Sequence, residues 1–116
     1  MIIDANDAAL VVSKSPEYME SYRPVLDWLT KPLANGILVF GGKLTIELAK
    51  VGDFAELMLD LERAGRTRSY TEEELRPELQ AITGRCRSND QHVIALARKS
   101  KARTLVTHDK LLTQDF

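Results

Sequence analysis

The sequence predicts an α/β protein, a three-layer α/β/α sandwich around a mostly parallel central sheet. Three observations carry this. Short apolar runs, Met1–Ile3, Ile37–Phe40 and Thr104–Thr107, are separated by longer stretches with helical periodicity. The run Ile37-Leu38-Val39-Phe40 is continuous rather than alternating, as expected of a parallel strand covered on both faces. Helix-start signatures punctuate the intervening segments: Ser15-Pro16-Glu17, Gly52-Asp53, Thr71-Glu72-Glu73-Glu74 and Ser88. The 116 residues suffice for one core and show no repeat or linker, so a single domain over residues 1–116 is expected.

Taken in order, Met1-Ile2-Ile3 is a minimal buried strand ended by Asp4. Asn6-Asp7 caps a short helix over Ala8–Val12. The next helix has Ser15 as N-cap and Pro16 at its first position, with Tyr18, Tyr22, Val25, Leu26 and Leu29 as its stripe. Pro24 is expected to kink or divide it. The Tyr18, Tyr22 and Trp28 aromatics are read as core rather than as a base-stacking platform. After the Asn35-Gly36 turn and the second strand, Gly41-Gly42 turns the chain into a helix from Lys43 to Val51. Its stripe is Leu44, Leu48 and Val51, and Glu47 lies on that same inward face. Phe54, Leu57, Met58 and Leu61 line the following helix, which Gly65 ends. Arg66–Tyr70 reads as a short basic, extended piece. Thr71 and Glu74 have capping-box spacing, Leu75, Leu79 and Ile82 form the next stripe, and Pro77 is expected to delay that helix. Gly84 closes it. Ser88 then caps a helix over Asn89–Lys101, with Asp90 in its first turn on the stripe of Ile94 and Ala97. The strand Thr104–Thr107 runs straight into His108-Asp109.

Composition excludes some classes. No apolar run reaches the ~20 residues needed to cross a bilayer, and the opening MIIDAND lacks signal-peptide features. Cys86 is the only cysteine, so no internal disulfide forms, and a cytoplasmic location is expected. The net charge of −1 conceals an asymmetry: residues 1–62 carry five Lys/Arg against ten Asp/Glu, whereas residues 63–110 carry eleven against six. The basic half is rich in arginine, whose planar fork suits phosphate. On charge alone this reads first as a solvated surface, with Arg85 and Arg87 the arginines expected to meet a phosphate-bearing partner if one binds.

In open parallel sheets the ligand site lies beyond the strand carboxyl ends. Asp4 and Asp109 follow strands, and Glu47 and Asp90 sit near helix starts, so these four acids are expected to converge on one rim. Clustered carboxylates repel one another unless protons or a hard cation intervene. Mg²⁺ or Mn²⁺ takes oxygen ligands and supports phosphoryl displacement. The chain has no GxxxxGK[ST] loop for a nucleotide, so metal-assisted phosphodiester hydrolysis is the chemistry that fits acids alone.

These residues resemble the PIN domain, the ribonuclease fold of VapC-type toxins. The resemblance rests on Ile2-Ile3-Asp4-Ala5-Asn6, on Leu44-Thr45-Ile46-Glu47-Leu48, and on Ser88 to Ala97 followed by Leu105-Val106-Thr107-His108-Asp109 and Asp115-Phe116. It spans the chain in the expected order, although Asp7 directly after the Asp-x-Asn, Gly41-Gly42 and the long 66–87 segment depart from the common pattern. It implies a metal-dependent endoribonuclease with Asp4, Glu47, Asp90 and Asp109 as catalytic metal ligands, Mg²⁺ or Mn²⁺ as cofactor and Asn6 supporting Asp4. Thr107 and His92 are the expected supporting residues, near phosphate or the metal's water, while a partly buried structural role is the alternative for His92 and the commoner one for His108. RNA is the implied substrate, with an antitoxin protein and a homodimer through the Tyr18–Leu29 helix as implied partners. A PIN-like module that binds RNA or protein without cutting is the second class.

Overall fold

The computed structural model describes residues 1–83, 91–108 and 112–113. They form β1 (Ile2–Ile3), α1 (Ala5–Val11), α2 (Pro16–Thr30), β2 (Leu38–Gly41), α3 (Gly42–Ala49), α4 (Gly52–Arg63), β3 (Thr67–Tyr70), α5 (Glu72–Ile82), α6 (Gln91–Ser100) and β4 (Leu105–Val106). The protein is therefore α/β, with short parallel strands.

β1 pairs with β4, Ile2 opposite Leu105 and Ile3 opposite Val106. β2 pairs with β3 from Leu38 opposite Thr67 to Gly41 opposite Tyr70. The two pairs are stitched at Met1: its amine donates to Ile37 O at 2.8 Å, and its carbonyl accepts from Val39 N–H at 2.8 Å. That two-sided bonding is the parallel-ladder pattern, so the strands lie in the order β3-β2-β1-β4. All strand carboxyl ends share one rim, and the order switches direction between β1 and β4.

The core explains the strands. Ile2, Ile3, Leu38 and Val39 are buried, as are Leu44, Leu48, Phe54, Val93 and Leu96 from the covering helices. β3 differs: Arg68 and Ser69 are exposed, as befits a strand at the edge. Gly41 is required for the β2–β3 approach, because a Cβ there would lie 2.5 Å from the Tyr70 carbonyl oxygen.

Several helix boundaries follow from local chemistry. The Thr71–Glu74 capping box is complete, with Glu74 N–H donating to Thr71 Oγ1 at 3.2 Å and Thr71 N–H to Glu74 Oε1 at 3.1 Å. α4 ends in a Schellman arrangement: Gly65, at φ +73°, donates to Glu62 O, and Arg66 N–H donates to Leu61 O. Four expectations need correction. α2 is one helix through Pro24 rather than two, and Pro77 lies inside α5 without delaying it. Both prolines are exposed, so water can bond the carbonyls they leave unpaired. α1 begins at Ala5 with Asp4 as its N-cap position, three residues before Ala8. Of the α2 aromatics only Tyr22 is buried, while Tyr18 and Trp28 stand at 36% and 38% exposure. The Gly84 stop, the Ser88 cap and Cys86 lie outside the described residues.

Candidate functional site

The strand order fixes where to look. β1 and β4 flank the switch point, and the residues just past their carboxyl ends are Asp4 and Thr107-His108. Asp4 is buried at 4% exposure. Its carboxylate oxygen Oδ2 accepts from the Thr107 hydroxyl at 2.8 Å. Its backbone carbonyl accepts from Asp7 N–H at 2.9 Å and Ala8 N–H at 3.1 Å, which holds the acid to the first turn of α1.

One turn further along α1, Asp7 is buried more deeply, at 2% exposure. Oδ1 accepts from the backbone N–H of His108 at 3.2 Å. Oδ2 lies 2.6 Å from His108 Nδ1 and accepts from the Tyr22 hydroxyl at 2.9 Å. A carboxylate only accepts, so Nδ1 carries the proton in the contact with Asp7. Burial, then the hydrogen bond to Asp7, pushes the Tyr22 hydroxyl up to about 12. The His108 side chain remains 72% exposed.

A second pair is built on the neighbouring elements. Gly41-Gly42 turns β2 directly into α3, whose Leu44 and Leu48 face the core. Glu47, between them on that face, is half-buried, and its Oε1 lies 2.7 Å from His92 Nε2 at the start of α6. Beside this pair opens a cleft of about 280 Å³, lined in part by Lys43, Arg76, Leu79 and His92.

Of the expected acids, Asp4 and Glu47 are therefore each set by a specific partner, while Asp90 and Asp109 lie outside the described residues, as do Arg85, Arg87 and Asp115. Thr107 donates to Asp4, and His92 lies against Glu47. Asn6 does not take the role expected of it: it is exposed on α1, and the side-chain bond to Asp4 comes from Thr107 instead. The reason is that Asp4 itself begins α1, which turns the Asn6 side chain outward. Sequence reading missed Asp7, taken for a cap, and Tyr22, taken for core alone. One signal for Asp7 was available, since it shares an inward stripe with Val11 at i and i+4.

Among the described residues, no three His, Cys, Asp or Glu side chains form a group that would hold a metal ion. The donors Asp4 and Glu47 do offer hard carboxylate oxygens, which fit Mg²⁺ or Mn²⁺ in kind. No described helix is long and apolar enough to cross a membrane. Neither a protein-family model, nor a curated protein, nor a solved structure matches this chain.

Proposed function

We propose that this chain is a metal-dependent endoribonuclease of the PIN type, a three-layer α/β/α domain acting on RNA in the cytoplasm as the toxin of a toxin–antitoxin pair. The observation that carries the reading is the Asp4–Thr107 contact. It joins residues 103 apart in sequence at the switch point of a parallel sheet, where such folds put their sites. Glu47 on the inward face of α3 supports it.

In this reading Asp4, Glu47, Asp90 and Asp109 hold Mg²⁺ or Mn²⁺. When bound, the ion supplies charge stabilisation at the phosphoryl group and acidifies water. The chain's own residues do the rest. Thr107 fixes one oxygen of Asp4. His92 orients Glu47. Arg85, Arg87 and the cationic edge of the Lys43–Arg76 cleft draw the RNA backbone, a salt-dependent attraction. Trp28 and Met19, partly exposed on α2, are the surface proposed for the homodimer.

A second reading has its own observation. His92 already satisfies Glu47 and Thr107 already engages Asp4, so the rim is held without a cation, as a non-cutting RNA- or protein-binding module would require. Purified protein incubated with structured and unstructured RNAs separates the two. The nuclease cuts with Mn²⁺, stops with EDTA, and loses activity in Asp4→Asn. Tight RNA binding with no cleavage under any divalent metal would leave the binding module.

A further inference from the structure

We propose that Asp7 is a positioning residue for this site: it fixes the chain where it leaves β4 and, through Thr107, sets the carboxylate of Asp4. The inference rests on the nuclease reading for its consequence, though not for its geometry.

Asp7 is a costly residue to place where it is. It sits on the core face of α1 beside the buried Ala8 and Val11. Burying a carboxylate costs several kcal/mol unless it is well paired, and an apolar side chain would fill the position more cheaply. What the carboxylate gains there is direction. Its three side-chain bonds all leave α1: two reach His108 and one reaches Tyr22 on α2. The adjacent residue, Thr107, donates to Asp4. Consecutive residues after β4 are thus gripped by two acids three positions apart, and those acids are themselves one unit because Asp7 N–H donates to Asp4 O at 2.9 Å.

Apolar packing does not account for this grip. The His108 ring is mostly exposed, so it gains little from burial, and its attachment is polar. Only directional bonds fix the angle at which a hydroxyl meets a carboxylate. Tyr22 completes the device, its buried hydroxyl donating to Asp7 Oδ2 at 2.9 Å. Groups that orient ligands in this way commonly change metal affinity or activity about 10–100-fold when removed.

The test is Asp7→Asn, which keeps the shape but replaces one accepting oxygen with a donor. Two readouts are taken: Mn²⁺ affinity of the folded protein by electron paramagnetic resonance, and the NMR shifts of the Asp4 carboxyl carbon and Thr107 amide in EDTA. If Asp7 positions Asp4, the Asp4 and Thr107 shifts move without metal. Mn²⁺ then binds about 10–100-fold more weakly, and kcat falls while KM for RNA holds. Unmoved shifts with wild-type Mn²⁺ affinity would overturn the proposal and leave Asp7 a structural pin. If Asp7→Asn does not fold, Tyr22→Phe and His108→Ala take its place, since one deletes a hydroxyl and the other an exposed ring. Unchanged Asp4 and Thr107 shifts in both would equally overturn it. A wild type that neither binds Mn²⁺ nor cuts RNA refutes the nuclease reading alone, because the metal-free shifts still decide whether Asp7 sets Asp4.

Discussion

The two ends of the sheet are closed by opposite chemistry. At the carboxyl end, side chains bond to side chains: Thr107 to Asp4, His108 and Tyr22 to Asp7, His92 to Glu47. At the amino end, one arginine bonds to backbone. Arg66, just before β3, donates to the carbonyls of Leu29 and Lys31 at 2.6 Å, of Ala34 at 3.0 Å and of Pro32 at 3.2 Å. Its guanidinium thereby satisfies carbonyls at the C-terminus of α2 and the turn beyond, where a positive charge also suits the helix dipole. Backbone carbonyls are present whatever the sequence, so the arginine end is architecture. Carboxylates facing histidines are a choice of residues, and that choice is what makes the other end a candidate site. Arg66 also belongs to the basic half of the chain, which shows that a charge count overstates the cations available to RNA.

Breaking each end should give a different phenotype. The largest effect is expected from Glu47→Gln. It keeps the volume and a hydrogen bond to His92, so melting in EDTA should stay close to wild type, while RNA cleavage with Mn²⁺ falls by orders of magnitude. A variant that cleaves at the wild-type rate would remove Glu47 from the site. Arg66→Ala should do the reverse. Losing charge-assisted bonds to four carbonyls should cost on the order of 2–3 kcal/mol in urea unfolding, with specific activity of the folded fraction intact. Arg66→Lys should not restore the loss, because an ammonium cannot fork between the two carbonyl groups.

A pH experiment sharpens the contrast with a smaller and more local effect. Tyr22 is raised from 10 to about 12 in the folded protein, so the native state holds that proton more tightly than the unfolded chain. Its contribution is complete below the unfolded pKa and is lost as pH climbs from there through the folded one. Urea melts of wild type and Tyr22→Phe should therefore converge as pH rises through that window. A constant difference would mean that the tyrosine's hydroxyl does not depend on Asp7.

Much of the fold was legible because its signals are local. The Thr71–Glu74 box, the Gly65 stop and the Phe54, Met58 and Leu61 stripe each declare themselves within a turn or two. Ile37–Phe40 announced a central strand through its unbroken apolarity. The prolines misled because their cost depends on exposure, which sequence does not display: Pro24 and Pro77 face solvent and the helices continue. Arg66–Tyr70 read only as an extended piece, since an edge strand with Arg68 and Ser69 outward lacks the apolar run of its neighbour. Asp4 was legible as an acid at a strand end, and Glu47 as an acid on the inward face of a short helix. Asp7 showed itself only as an acid on the inward stripe with Val11, because the partner that gives it a role, His108, lies 101 residues away. A pair that distant does not name its partner in either local segment.

The position of β1 also sets a schedule for folding. It lies between β2 and β4, and its two partners come about 36 and 103 residues later in the chain. During synthesis β1 must therefore wait, without either of these partners, until β2 emerges and then until β4 follows 103 residues later. Such long-range pairing slows folding, and an unpaired apolar edge is prone to stick to other chains. The same delay makes the chain a natural candidate for splitting. A fragment ending after α4 would carry Asp4, Asp7, Tyr22 and Glu47, and a second would carry His92, Thr107 and His108. Among the described residues, the pairs Asp4–Thr107, Asp7–His108 and Glu47–His92 would form only when the two halves meet, so reassembly would also join these contacts.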